Sequence, residues 1–321
     1  VKTLLPVVLV LCACKGGNDY ASMAKKANAE RGKPDDSEVK PAPANATLLS
    51  SGQNAPSHLQ LEGDSVVWLN EGGRMGKPGL FKVGRGGGPT TAVLEKAEIA
   101  TMSADGTSLY FLAPHEGKIQ KVARGGGAPE TLAETTSILR GLVIDDTDVI
   151  WAENEAIMRI PKAGGKPSPV VVVGIPDYLA LDGNFVYWYS NIAGVISKAP
   201  KKAGGASKVY ADDQHTLHTF FIDGNDLFVS FGAENKMVIQ RLPKTGGKPV
   251  TLIDGQEPAN DFAIDGSNIY WITEDNIFKV PRTGGAATKV VEKLEHGRDV
   301  VVDDQFVYWS DRSGRIEKMA K

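Results

Sequence analysis

All five tryptophans of this chain occupy one position of a repeat. Trp68, Trp151, Trp188, Trp271 and Trp309 each stand five residues after a turn residue, namely Gly63, Asp146, Gly183, Gly266 and Asp304. Two more copies fit the frame, with Phe111 five after Gly106 and Val229 five after Gly224. Successive turn residues are 43, 40, 37, 41, 42 and 38 positions apart. A unit of about forty residues that holds several short strands cannot bury its apolar faces alone, so the copies must stack on one another.

The sixth copy shows the strands. Asp261–Ile264 reads as strand A, turned by Asp265-Gly266, and Asn268–Ile272 as strand B. Ile277–Val280 follows as strand C, turned through Gly284-Gly285, and Thr288–Val291 as strand D. The Asp-Gly and Gly-Gly pairs supply the positive φ that tight hairpins need. Adjacent Tyr270-Trp271, like Tyr187-Trp188 and Tyr308-Trp309, breaks the polar and apolar alternation. Such a strand must be covered on both faces. Four strands per unit and seven units predict an all-β chain, a seven-bladed β-propeller of antiparallel blades. The seventh copy has a strand C, Arg315–Lys318, with no Gly-Gly turn after it. Asn45–Ser50 resembles a strand D and is expected to complete that blade, closing the ring and covering its exposed edges.

The domain expected from the repeats is 45–321. Ahead of it, Leu4–Ala13 is apolar but far shorter than a membrane span. It leads into Leu11-Cys12-Ala13-Cys14, which resembles the bacterial lipobox. That resemblance implies a signal peptide over 1–13, a lipidated Cys14 and attachment to a membrane through lipid alone. Lys15 after the cysteine lacks the aspartate of inner-membrane retention, which points to the outer membrane of a bacterial envelope. Residues 14–44 are polar, without apolar periodicity, and read as a disordered tether with a reach of roughly 30 Å. Both cysteines lie in the leader, so the domain offers no disulfide or thiolate. A formal net charge of −3 argues against general nucleic-acid binding.

Leu181–Trp188 and Val302–Asp311, each a turn followed by a Tyr-Trp pair, resemble the YWTD-type propeller repeats of receptor ectodomains and bacterial envelope lipoproteins. The full Tyr-Trp-Thr-Asp is absent, since Trp188 is followed by Tyr-Ser and Trp271 by Ile-Thr-Glu. The resemblance covers 45–321 and implies the fold together with a binding-scaffold role. It carries over no catalytic motif.

Candidate site residues lie where the repeat lapses. Each strand C carries a cation, from Lys82 to Lys318, and a second follows three residues on, from Arg85 to Lys321. This pattern fits either a basic rim that meets a polyanion or a solvated face neutralised by nearby carboxylates. His58, His215, His218 and His296 fall in D-to-A connections, which share one face with the B-to-C connections around the central channel. Arg140, Asp177, Asn260, Asp261, Arg298 and Asp299 gather on the same face, just before a strand A. Variable loops on a rigid scaffold are where ligands bind. Asp212, Asp213, His215 and His218 are residue types that ligate a divalent metal, although a polar loop collects them without one.

No nucleophile elbow and no phosphate-binding loop occurs. The leading expectation is a monomeric, non-enzymatic scaffold that needs no cofactor and binds a protein, peptide or glycan. The alternative is a metal-dependent enzyme of the propeller lyase or lactonase type with its centre at the channel mouth.

Overall fold

The computed structural model describes residues 43–321 apart from 72–77, 191, 203, 212–215 and 234–235. Among the described residues there are seven four-stranded antiparallel sheets and no helix. The strands A, in blade order, are Pro56–Glu62, Thr101–Ala104, Leu142–Ile144, Leu179–Leu181, Thr216–Asp223, Asp261–Ile264 and Gly297–Val302. Taken in the order of blades 6, 7, 1, 2, 3, 4 and 5, each touches the next, and so they form the inner wall of the ring. The chain is a seven-bladed β-propeller.

Blade 7 is assembled from distant segments. Its strands A, B and C are Gly297–Val302, Phe306–Asp311 and Ile316–Ala320, and its outer strand is Thr47–Ser50. Thr47 pairs with Lys318, Leu48 with Glu317 and Ser50 with Ile316. The N-terminal strand therefore closes the ring by hydrogen bonds, as the truncated last repeat predicts.

The Tyr-Trp pair explains how blades adhere. Neighbouring residues of a strand point to opposite faces, so each member covers a different joint. Trp309 packs into an apolar cluster with Tyr270 of blade 6, while Tyr308 packs with Trp68 of blade 1. Trp151 lies with Tyr110 of blade 2, and Val229 takes the tryptophan place beside Tyr187 of blade 4. Seven such clusters fill the seven joints. Trp68, Trp151, Trp271 and Trp309 are fully buried there.

The repeat-encoded cations form a second system, on the face of the A–B and C–D turns. The cation after strand C of one blade reaches the turn aspartate of the blade before it. Lys162 meets Asp105 at 2.7 Å, Lys201 meets Asp145 at 2.5 Å and Lys244 meets Asp182 at 2.9 Å. Arg85 meets Asp303 at 3.2 Å, and Arg282–Asp223 and Lys321–Asp265 complete the series. Four of these aspartates also accept a tyrosine hydroxyl, from Tyr110, Tyr187, Tyr270 and Tyr308. Their other oxygen caps two amides of the turn, as Asp182 does for Asn184 and Phe185. Burial opposes ionisation of Asp145, but the Lys201 cation and the turn amides outweigh it and hold its carboxyl down at about 2. The strand C cations reach forward instead, Lys82 donating to the carbonyl of Arg124 at 2.7 Å and Lys198 to that of Lys244 at 2.9 Å. These eight cations, which fit a rim in the sequence, are thus inter-blade latches. Blade 1 departs from the rule, because its turn carries Glu62 and Arg124 donates to the Glu62 backbone carbonyl at 2.6 Å.

Candidate binding site at the channel mouth

Register aligns the starts of the strands A. Met102 pairs with Phe111, Leu142 with Trp151, Leu179 with Trp188, Phe220 with Val229, Phe262 with Trp271 and Val300 with Trp309. The residues just before these partners are Thr101, Gly141, Tyr178, Thr219, Asp261 and Asp299. Regular pairing thus gives a ring of one residue per blade on the D–A side of the channel. Two neighbouring members of that ring are carboxylates.

Three strands A are bulged at this end, in blades 1, 5 and 7. The irregularities lie between Ser57 and Gln60, between Leu217 and Thr219, and between Gly297 and Val300. They contain His58, His218, and Arg298 with Asp299. A bulge re-aims side chains and is common beside functional sites. His58 also has a positive φ of 56°, a left-handed conformation that a non-glycine residue adopts at a cost.

These devices bring five of the expected residues together across blades 6, 7 and 1. Asp261 reaches into blade 7, where its Oδ2 accepts the Val300 amide at 2.9 Å. Asp299 in turn reaches blade 1, its Oδ1 accepting the His58 amide at 2.8 Å. The Ser310 hydroxyl donates to the other Asp299 oxygen at 3.3 Å. Arg298 pairs with Glu71 and donates to the Ala55 carbonyl at 3.5 Å. Asn260 ties the same seam, donating to the Gly297 carbonyl at 2.7 Å.

Two polar atoms of the cluster are buried without a partner, Asp261 Oδ1 and His58 Nε2. Asp261 is only 5% exposed. Burial, and then the adjacent Asp299 charge, push its carboxyl well above the ordinary range against the pull of the Val300 and Phe262 amides. Asp299 is raised by burial too, against the opposing effect of His58 and Arg298. Burial likewise holds the His58 imidazole low, although Asp299 and Glu71 favour its charged form.

This backbone belongs to a well-populated architecture. No family model and no curated protein matches the chain. Solved structures do match its fold. An oligogalacturonate lyase from Vibrio parahaemolyticus superposes with a TM-score of 0.67 at 10% identity, over 88% of this chain and 96% of that one. YCF48 bound to D1 peptide gives 0.62 at 9%, over 88% and 98%. A nidogen/laminin complex gives 0.52 at 18%, over 67% and 94%. At such identities the likeness extends to the propeller and not to any one activity, and these structures include both an enzyme and binding proteins.

The remaining candidates separate into smaller groups. Arg140 of blade 3 pairs with Asp177 of blade 4 at 2.9 Å, two blades round the ring from the carboxylate pair. His296 leaves the cluster and pairs with Glu274, which Arg312 also approaches at 3.7 Å. His218 lies against Gly232 of its own blade, where a Cβ would come within 2.2 Å of its Nε2, so glycine makes room for the ring. Asp212, Asp213, His215 and Cys14 lie outside the described residues. Among the described residues no three His, Cys, Asp or Glu side chains form a metal-binding group.

Two features of this face were not singled out in the sequence. Glu71 sits beside Asn70 at the edge of the longest B–C loop, and nothing local marks it as the partner of a residue 227 positions away. Ile138 and Ile192 stand 59% and 76% exposed in connections of this same face. Large apolar side chains in otherwise polar loops were the available signal.

Proposed function

We propose that this chain is a non-enzymatic binding scaffold of the YWTD-like type. In this reading it is held in a bacterial envelope, at the outer membrane, through lipid on Cys14, and it receives a protein or peptide on its channel-mouth face. One observation carries the choice of face. The turns of the opposite face are tied into the inter-blade latch, whereas the mouth face holds the bulged strands, exposed Ile138 and Ile192, and a buried carboxylate with an unpartnered oxygen. Exposed apolar residues around a polar centre are the usual make-up of a protein-binding patch. Solved propellers in complex with a protein or a peptide support the kind of partner.

Photo-crosslinking in the native envelope tests it. A crosslinking residue at Ile138 or Ile192 should capture a discrete partner, and one at Asp64 or Lys166 on the opposite face should not. Capture from the opposite face alone would overturn the assignment. Labelling with a radioactive fatty acid, lost in Cys14→Ala, tests the anchor separately.

A further inference from the structure

The two faces of the disc differ in charge. Among the described residues, the B–C and D–A connections carry ten acidic side chains and five of Lys or Arg. The A–B and C–D turns carry eight acidic and ten basic ones. Most of those basic residues are already engaged, in the latch pairs of the turn face. On the mouth face several acids stand exposed at separate blades, Glu98, Glu116, Glu155 and Glu257 among them. A surface with one sign in excess around an opening concentrates ligands of the other sign.

The centre of this face repeats the preference at short range. Asp261 and Asp299 are adjacent carboxylates on neighbouring inner strands. Arg298 favours the charge of Asp299, whereas burial and the Asp299 charge oppose that of Asp261. The buried Oδ1 of Asp261 is left without a hydrogen bond of ordinary geometry. A buried acceptor left unpaired costs free energy that a hydrogen-bond donor recovers, and a charged donor recovers most.

We infer that the mouth face takes a basic segment of a protein partner, with one lysine or arginine head group seated at the Asp261–Asp299 pair. This rests on the scaffold reading above and adds the partner's chemistry. Rim acids would steer the segment and set the salt dependence of binding, the carboxylate pair would anchor it, and Ile138 and Ile192 would cover its apolar part.

Fluorescence anisotropy on the full chain tests this with two labelled probes, a lysine-glycine peptide and a glutamate-glycine peptide of equal length. The lysine peptide should bind, and weaken about tenfold or more between low and high salt as screening shortens. Reversing Glu116, Glu155 and Glu257 to Lys should weaken it by a similar factor, and Asp261→Asn by several-fold. Reversing Asp64, Asp146 and Asp304, on the other face, should leave affinity unchanged. Equal binding of the two peptides, or equal loss from either set of reversals, would overturn the basic-segment inference. If Ile138 still crosslinks a partner while the lysine peptide fails, the charge inference falls and the scaffold reading stands. If both fail, the scaffold reading falls as well.

Discussion

Lys244 of blade 5 donates to the Asp182 carboxylate of blade 4 at 2.9 Å, and the same oxygen accepts the Tyr187 hydroxyl. One turn residue thereby joins two blades and orders its own hairpin. Asp182→Ala would remove the ion pair, the tyrosine partner and two amide caps at once. The expected loss is about 2–3 kcal/mol, the range for breaking a largely buried charged network. Thermal unfolding checks it, and Lys244→Met should cost less because the turn caps survive.

Blade 1 offers the reverse experiment. Its turn holds Glu62 where the other blades hold aspartate, and Arg124 settles for a backbone carbonyl. Glu62→Asp would bring a carboxylate to the place occupied by Asp105 and its counterparts. The melting temperature should rise, by the equivalent of up to about 1 kcal/mol for one added charged bond. An unchanged or lower value would mean that the latch contributes little at that joint.

Acid should act on the two carboxylate systems in opposite senses. Asp105, Asp145, Asp182, Asp265 and Asp303 have folded pKa values below the ordinary range near 4, so their stabilisation is complete above that range and is lost as pH falls through the lowered values. Asp261 and Asp299 have raised values, so the folded chain holds more protons there than the unfolded one. Stability from this pair is present below the ordinary range and declines as pH rises through the raised values. Asp261→Asn should flatten that upper limb and leave the acid limb in place, as denaturant titrations across pH would show.

Removing residues up to Ser51 takes away the outer strand of blade 7 and its pairing with Thr47, Leu48 and Ser50. The strand Ile316–Ala320 would then be an unpaired edge, a template for association. The truncated chain should melt lower and elute as aggregates in size exclusion. Melting like the full chain would show that closure is dispensable.

Trp271 is fully buried and stacks on Phe278 at 5.3 Å between blades 5 and 6. Trp271→Ala should cost about 3–5 kcal/mol, and Trp271→Phe much less. A binding role for the ring would instead appear as lost affinity with unchanged melting.

Blade number, strand order and closure were all legible, because burial on both faces forces the Tyr-Trp pair and tight turns force the glycines. The latch was legible only in part. Its cations repeat visibly, but aspartates such as Asp265 read as ordinary turn residues, and their partners lie more than one repeat away in sequence. Lys321 is 56 positions from Asp265. The mouth was readable as a collection of polar residues before each strand A. Which of them converge depends on bulges, and a one-residue shift of register leaves no mark in composition. So His58 and Asp299 meet, while His296 turns away to Glu274.

Across the joint of blades 7 and 1, Arg85 binds Asp303 and Lys318 reaches the Arg85 carbonyl, the same arrangement found at the joints of blades 2 and 3, 3 and 4, and 4 and 5. The chemistry therefore treats blade 7 and blade 1 as ordinary neighbours, although the strands of blade 7 come from distant parts of the polypeptide. Joining residue 321 to residue 45 by a short linker and opening the chain at another C–D turn should yield the same disc. Ring order, and not reading order along the chain, is what the side chains of this protein encode.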